Sequence, residues 1–365
     1  MPQNISVRVG SIPAFGRDAL VYGTYEPDAS TAGTLTSEAV LSDGSHDYNA
    51  DVDSVTIPDG TVITSKRIFG DIVFAGSATL TDCLLVGGSQ AITSGNIGVL
   101  SCVESRTGQA VLTDCTIRPR KESDGRDGAL GKQFELYRCR IVGGVDGVGI
   151  YNKYGTDANV KVKGCLIEDR AYTYTDRDHS DGTHSDPIQI QGGRFIEVIG
   201  NAINGTGHYM TGSGTYYNTH ASTDAGDWPL LMPTPHCPGS GILVNGNVAA
   251  VDSTVIIDSN YFRNTKIMMN VGSLGNGFVC TNNRFSTVDR PAKNVNGTVR
   301  NGVTLAFTAN EYWIRLYNQT VNNTDIVGLT SGGAVVNTTN VWLDGGSAGT
   351  ALTTPRANGI QNDNF

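Results

Sequence analysis

The chain has 365 residues, 46 of them glycine, which is nearly twice the roughly 7% of average usage, and only 17% are charged against roughly 25% on average. A helical glycine costs about 1 kcal/mol relative to alanine, and no apolar pattern of helical period survives several turns here, so an all-α fold is excluded. The formal charge of −9 contains no basic block, which argues against nucleic acid as a partner, and no apolar run approaches the roughly 18 residues of a membrane span.

The start, Met1-Pro2-Gln3-Asn4-Ile5, has neither a basic nor an apolar leader region, so Sec-type export is not expected. Residues 1–54 run as short alternating stretches, such as Ile5-Ser6-Val7-Arg8-Val9, cut by Pro13 and Pro27. They read as an N-terminal attachment or capping segment, because a solenoid needs its first coil covered.

Residues 55–317 carry an internal repeat: apolar, two small or polar residues, Cys or Asn, any residue, apolar. It reads Leu80-Thr81-Asp82-Cys83-Leu84-Leu85, and recurs with its fourth position at Cys115, Cys139, Cys165, Asn201, Asn260, Asn283 and Asn310. A second run in each unit alternates with period 2: Val148-Gly149-Ile150, Ile188-Gln189-Ile190, Ile242-Leu243-Val244 and Ile267-Met268-Met269. Alternation marks a half-buried strand, and short strands joined by Gly, Asn and Asp turns without helices predict a parallel β-helix. The repeated Cys or Asn is then an inward turn residue. Seven cysteines without CxxC spacing are expected as reduced core thiols rather than a disulfide framework or metal site.

Two long loops, 168–186 and 204–239, interrupt the repeat and carry five of the six histidines (His179, His184, His208, His220 and His236) together with Tyr172, Tyr174, Tyr209, Tyr216, Tyr217 and Trp228. Long loops of that composition are functional more often than disordered. Residues 318–365, rich in Asn, Thr, Gly and Ser with Val341-Trp342-Leu343 as a strand candidate, are expected to be a β-rich cap or oligomer contact.

The Cys/Asn ladder, the strand Ile188-Gln189-Ile190-Gln191-Gly192-Gly193 preceded by His179-Ser180-Asp181-Gly182-Thr183-His184-Ser185-Asp186, and the opening Asp59-Gly60-Thr61 to Gly70-Asp71-Ile72 resemble right-handed β-helix proteins of the pectate-lyase-like superfamily. More narrowly, they are similar to the minor tail and tailspike proteins of phages that infect actinobacteria. The resemblance implies an all-β right-handed solenoid with capping segments, in the virion tail, assembled in the bacterial cytoplasm and contacting other tail proteins and host cell-envelope polysaccharide. It also implies a homotrimer, although no heptad in the sequence specifies one. The superfamily holds binders, hydrolases, lyases and inert spikes, so activity does not follow from fold.

Period 2 places Val148, Ile150, Ile188, Ile190, Ile242, Val244, Ile267 and Met269 inward. Two outward columns follow: Gly149, Gln189, Leu243 and Met268, then Tyr151, Gln191, Asn245 and Asn270. Amides beside a tyrosine suit sugar hydroxyls, and Tyr151, Gln189, Gln191, Asn245, Asn270 and Trp228 are the candidate glycan contacts; an ordinary solvated sheet face is the alternative. Asp146 and Asp186 stand at the entrance to two neighbouring strands. With Asp181, His179 and His184 they are candidate catalytic groups for glycoside cleavage, the alternative being turn formers that satisfy loop backbone. No cofactor is required, and Asp176, Asp178, Asp181 and Asp186 make the 176–186 loop a candidate for Ca²⁺. The Asn-Thr-Asp strand and Gly-His-Gly of the pectin hydrolases are absent, and Lys153 and Arg194 lie near the groove outside any recognisable motif. Three readings result: a glycan-binding tail protein, a polysaccharide-degrading enzyme, and an inert spike.

Overall fold

The computed structural model describes residues 21–37, 41–43, 54–102, 107–172, 176, 183–210, 216–217, 237–246, 251, 254–272, 279–289, 299–300, 303–304, 312–316, 339–352 and 360–362. The chain is a right-handed parallel β-helix built on three long sheets, two of ten strands and one of eight. Within these three sheets the strand pairings are parallel and step one coil at a time. Among the described residues the only helical element is a single 3₁₀ turn, Gly345–Ser347.

Each coil contributes one strand per sheet, and the registers stack like side chains into columns. The first sheet aligns Ile68, Leu85, Ile117, Ile141, Ile167, Ile203, Phe262, Phe285 and Trp342. The aliphatic stack gives way to an aromatic one, with Phe262 and Phe285 parallel at 4.7 Å between centroids. The second sheet aligns Leu100, Ala129, Val148, Ile188, Ile242, Met269 and Ile314. The third aligns Ile63, Leu80, Leu112, Leu136, Val162, Val198, Ile257 and Cys280. All these side chains belong to one continuous buried core, which a solenoid obtains by adding the same small apolar cross-section at every coil.

The turn from the third sheet into the first has one construction throughout. Asp82, Asp114, Arg138, Gly164, Gly200, Ser259 and Asn282 all adopt left-handed backbone, φ between 50° and 66°, and the ladder residue follows. Cys83, Cys115, Cys139 and Cys165 are free and fully buried. From Asn201 on, each asparagine Oδ1 accepts the ladder amide of the preceding coil: Cys165 to Asn201 at 2.9 Å, Asn201 to Asn260 at 3.0 Å, Asn260 to Asn283 at 3.0 Å. The next rung is Asn340, which accepts the Asn283 amide at 3.1 Å. Asn310 lies outside the described residues, and Tyr312 of that expected repeat pairs with Ile267 in the second sheet, not in the first. Strands Val341–Trp342 and Ile360–Asn362 extend the first and second sheets.

Residues 22–36 form a strap across the outer face of the first sheet. Gly23 O accepts Tyr261 Oη and Arg284 Nη1, Glu26 pairs with Arg263 at 2.7 Å, Gly33 N–H donates to Arg138 O, and Leu35 and Thr36 N–H donate to Asp82 Oδ1 at 2.7 and 2.9 Å. The strap explains two glycines in the turn column: a Cβ on Gly164 would meet the Tyr22 ring at 2.5 Å and one on Gly200 the Gly23 nitrogen at 2.4 Å.

Candidate functional site

The outer face of the second sheet is where the sequence places its candidate contacts, and the registers refine that placement. Val148, Ile188 and Ile242 align, as do Ile150, Ile190 and Val244, and all six are fully buried. At the next strand the expected alignment is off by two residues. Ile242 pairs with Met269, and Ile267 pairs instead with Ser240, just past an irregularity in the register between Cys237 and Ser240. Met268, expected outward, is fully buried in the core. Asn270 stands beside Leu243 in the Gly149–Gln189 column, and Gly272 occupies the place beside Asn245.

A cleft of about 320 Å³ lies over this face, lined on one side by Asp146, Asp186 and His184 and on the other by Gln189, Gln191 and Asn245. Asn96, Asp124 and Asp176 reach it from other loops. Six of the candidate catalytic and glycan-contact residues named from sequence are thus gathered at one place. Tyr151 is half-buried in the Gln191 column but does not line the cleft. Asp181, His179 and Trp228 lie outside the described residues, as does Asp178. Among the described residues no three of His, Cys, Asp or Glu are gathered as metal ligands.

The acidic wall is built from a ladder. Asp127, Asp146, Asp186 and Ser240 occupy corresponding positions, two residues before Ala129, Val148, Ile188 and Ile242. Asp127 Oδ1 accepts the Asp146 amide at 3.1 Å, Asp146 Oδ1 accepts the Asp186 amide at 2.8 Å, and Asp186 Oδ1 accepts the Ser240 amide. Three carboxyls are stacked where the first sheet's turns stack asparagines. Burial raises Asp146 to about 7, against the Asp186 amide and the Arg170 charge, which favour its ionised form; Asp176 adds repulsion. Arg170 is itself fully buried and donates to the Ile141 and Glu168 carbonyls at 2.7 Å. On the opposite wall Gln191 Nε2 donates to Gln189 Oε1 at 2.5 Å, which ties the two amides together.

Of the five loop histidines, His179, His220 and His236 lie outside the described residues, and the other two stand apart. His184 is exposed at the cleft, whereas His208 is buried away from it, with Nδ1 3.0 Å from Asp169 Oδ1 and Nε2 3.4 Å from Glu122 Oε1. Burial opposes its charge, but the two carboxylates outweigh that and raise it to about 9. Its role is to clip together loops of separate coils. Asp127 and Asp124 escape the sequence reading because the strand Arg126–Gly131 is buried along its whole length and shows no alternation; the spacing of Asp127 from Ala129, equal to that of Asp146 from Val148, is the usable signal. No family model, no curated protein and no solved structure matches the chain, so beyond a parallel β-helix its reading rests on its own residues.

Proposed function

We propose that the chain is a carbohydrate-binding β-helix whose cleft over the second sheet takes an extended glycan, in the manner of a phage minor tail or tailspike protein that contacts a bacterial envelope polysaccharide. The observation that carries this reading is the meeting, in one cleft, of the amides Gln189, Gln191 and Asn245 with the carboxyls Asp146 and Asp186. Amides supply donors and acceptors, carboxylates supply acceptors, and both suit sugar hydroxyls. Coils repeating at about 4.8 Å offer these groups at regular steps along the rod. Virion location and other tail proteins as partners are part of the same proposal and come from the sequence resemblance.

The test is binding to an array of bacterial envelope polysaccharides by the parent and by a Gln189→Ala, Gln191→Ala, Asn245→Ala triple variant of unchanged melting temperature. Loss of binding in the variant supports the reading; equal binding by both overturns it. A second reading, hydrolysis, is favoured by Asp146, a carboxyl whose burial keeps it protonated near neutral pH, as a general acid requires. In a reducing-end assay on any polysaccharide that binds, Asp146→Asn, which keeps an acceptor oxygen at that place, lowers the rate by about 10²- to 10⁴-fold, far more than it weakens binding. Absence of any released ends removes this second reading alone.

A further inference from the structure

A second cavity, of about 420 Å³, lies on a different face, between strap residues 26–29 and the outer side of the first sheet. Its size is within the range of about 300–1,000 Å³ usual for small-molecule sites, and the strap is pinned on both sides of it. Glu26 grips Arg263 with both carboxylate oxygens, at 2.7 and 3.0 Å. Beyond the gap Gly33 N–H donates to Arg138 O at 2.8 Å and Thr34 N–H to Thr116 Oγ1 at 3.0 Å. Between these anchors Asp28 Oδ1 accepts the amides of Ser30 and Thr31 at 2.8 and 3.1 Å, a side-chain turn that fixes the path of the strap. The cavity is therefore built before any guest enters it.

The sheet supplies two columns of lining. Arg140, Leu166 and Ala202 align in one, and Glu168, Asn204 and Arg263 in the next. Leu166 and Ala202 are buried and form an apolar floor, with the buried Pro27 on the strap side. The polar groups are only half committed. Arg140 gives Nε and Nη2 to Glu168 Oε1 at 2.9 and 2.7 Å, and Asn204 Oδ1 accepts Asn264 Nδ2 at 2.9 Å. Among the described residues none engages Arg140 Nη1, Asn204 Nδ2, Glu168 Oε2 or Asp28 Oδ2, so two donors and two acceptors remain for a guest. Three carboxylates face two arginines, and Arg263 also binds Asp289 and Asp344 at 2.6 and 3.1 Å, which disfavours an anion. A neutral polyhydroxy ring matches what is left: its hydroxyls donate to the carboxylates and accept from the guanidinium and amide, and its C–H face covers the floor. We propose that this cavity is a sugar site, for one neutral hexose unit, separate from the cleft over the second sheet. It goes beyond the glycan reading of that cleft and rests on its own lining. A sugar seated here touches both strap and coils, so it binds only while the strap is docked.

The test follows hydrogen exchange at the Gly33, Leu35 and Thr36 amides, which bond from strap to coils, while the methyl α-glycosides of glucose, mannose and galactose are titrated in. At ten times its dissociation constant, a sugar that binds only the docked strap is expected to slow this exchange about tenfold. Methyl glucuronide, which adds an anion to the same ring, is expected to act more weakly. Ala29→Leu, which fills the cavity from an exposed position on the strap, should abolish the response. Asn204→Ala, which removes one donor, should raise the dissociation constant about tenfold. The Gln189→Ala, Gln191→Ala, Asn245→Ala variant should respond as the parent does. No slowing by any of the three neutral sugars, a stronger response to the glucuronide, or an undiminished response in Ala29→Leu overturns the site. A response lost in the cleft variant and kept in Ala29→Leu places the sugar in the cleft, so this proposal fails and the glycan reading stands. If the strap responds and no glycan engages the cleft, the glycan reading fails and this site stands.

Discussion

Asp146 Oδ1 accepts the backbone amide of Asp186 at 2.8 Å, so one candidate catalytic carboxyl holds the strand entrance that positions the other. The bond ties two residues 40 positions apart in sequence into one acidic wall; it favours the ionised form of Asp146, but burial outweighs it.

That burial gives a signed pH dependence. Asp146 is raised from 3.8 to about 7, so the stability it contributes is fully present below about pH 3.8 and is lost as pH rises through about 7. Between these limits a single titrating group changes stability by at most about 1.4 kcal/mol per pH unit. Urea unfolding of the parent and of Asp146→Asn at pH 5, 6, 7 and 8 should show the variant gaining on the parent as pH rises. Parallel curves would show that Asp146 ionises as it does in the unfolded chain.

The two faces of the second sheet respond oppositely to charge. Ile190 is fully buried, and Ile190→Asp should cost about 3–5 kcal/mol or prevent folding. Gln191, outward and half-buried, should tolerate Asp within about 0.5 kcal/mol. Thermal melts of the two variants are the measurement, and equal losses would contradict the register.

Cys83, Cys115, Cys139 and Cys165 should resist thiol reagents in the native protein and react at once in denaturant. All four are fully buried, which bars reagent from the sulfurs. Burial also raises the Cys115 and Cys165 thiols well above their ordinary range, whereas hydrogen bonds along the ladder lower Cys83 and Cys139, so for those two exclusion of reagent alone provides the protection. Mass-resolved labelling at intervals checks this, and rapid native labelling of any of the four would mean that its coil opens.

His208 reports on the loop clip. Its pKa rises from 6.5 to about 9, so its stabilising contribution is complete below about pH 6.5 and disappears as pH passes about 9. The groups facing it are Glu122 and Asp169, with Arg170 beside the latter. His208→Gln should therefore cost more stability at pH 6 than at pH 10, as measured by denaturant unfolding at both; an equal cost would mean that the ring titrates in the folded chain as it does in the unfolded one.

The periodic parts of this molecule are legible in the sequence and the aperiodic parts are not. Leu80, Leu112 and Leu136 announce their column because each repeats at the same offset from a cysteine. Asn340 is hidden by contrast: Asn337 stands where the repeat has an apolar residue, and a long insertion separates it from Asn283. Two adjacent methionines, Met268 and Met269, leave the strand phase undetermined, and only the pairing of Ile242 with Met269 decides it. The carboxyl pair Asp146 and Asp186 is legible from its place before two alternating strands. Asp127 is not, because it lies in the strand Arg126–Gly131, which is buried along its whole length and gives no alternation to count from.

The strap changes what kind of folding problem the chain poses. A bare solenoid joins only neighbouring coils, so it can zip up progressively and fray from either end. Here the bond from Tyr261 to Gly23 spans 238 residues, and that from Arg284 to Gly23 spans 261. Such contacts carry a large loop-closure cost and raise contact order. The strap cannot dock until the coils at Tyr261 and Arg284 exist, so the last step of folding waits for residues made late in synthesis. Once docked, it couples coils that share no direct contact, and fraying at Arg284 loosens the hold on Asp82 some six coils away.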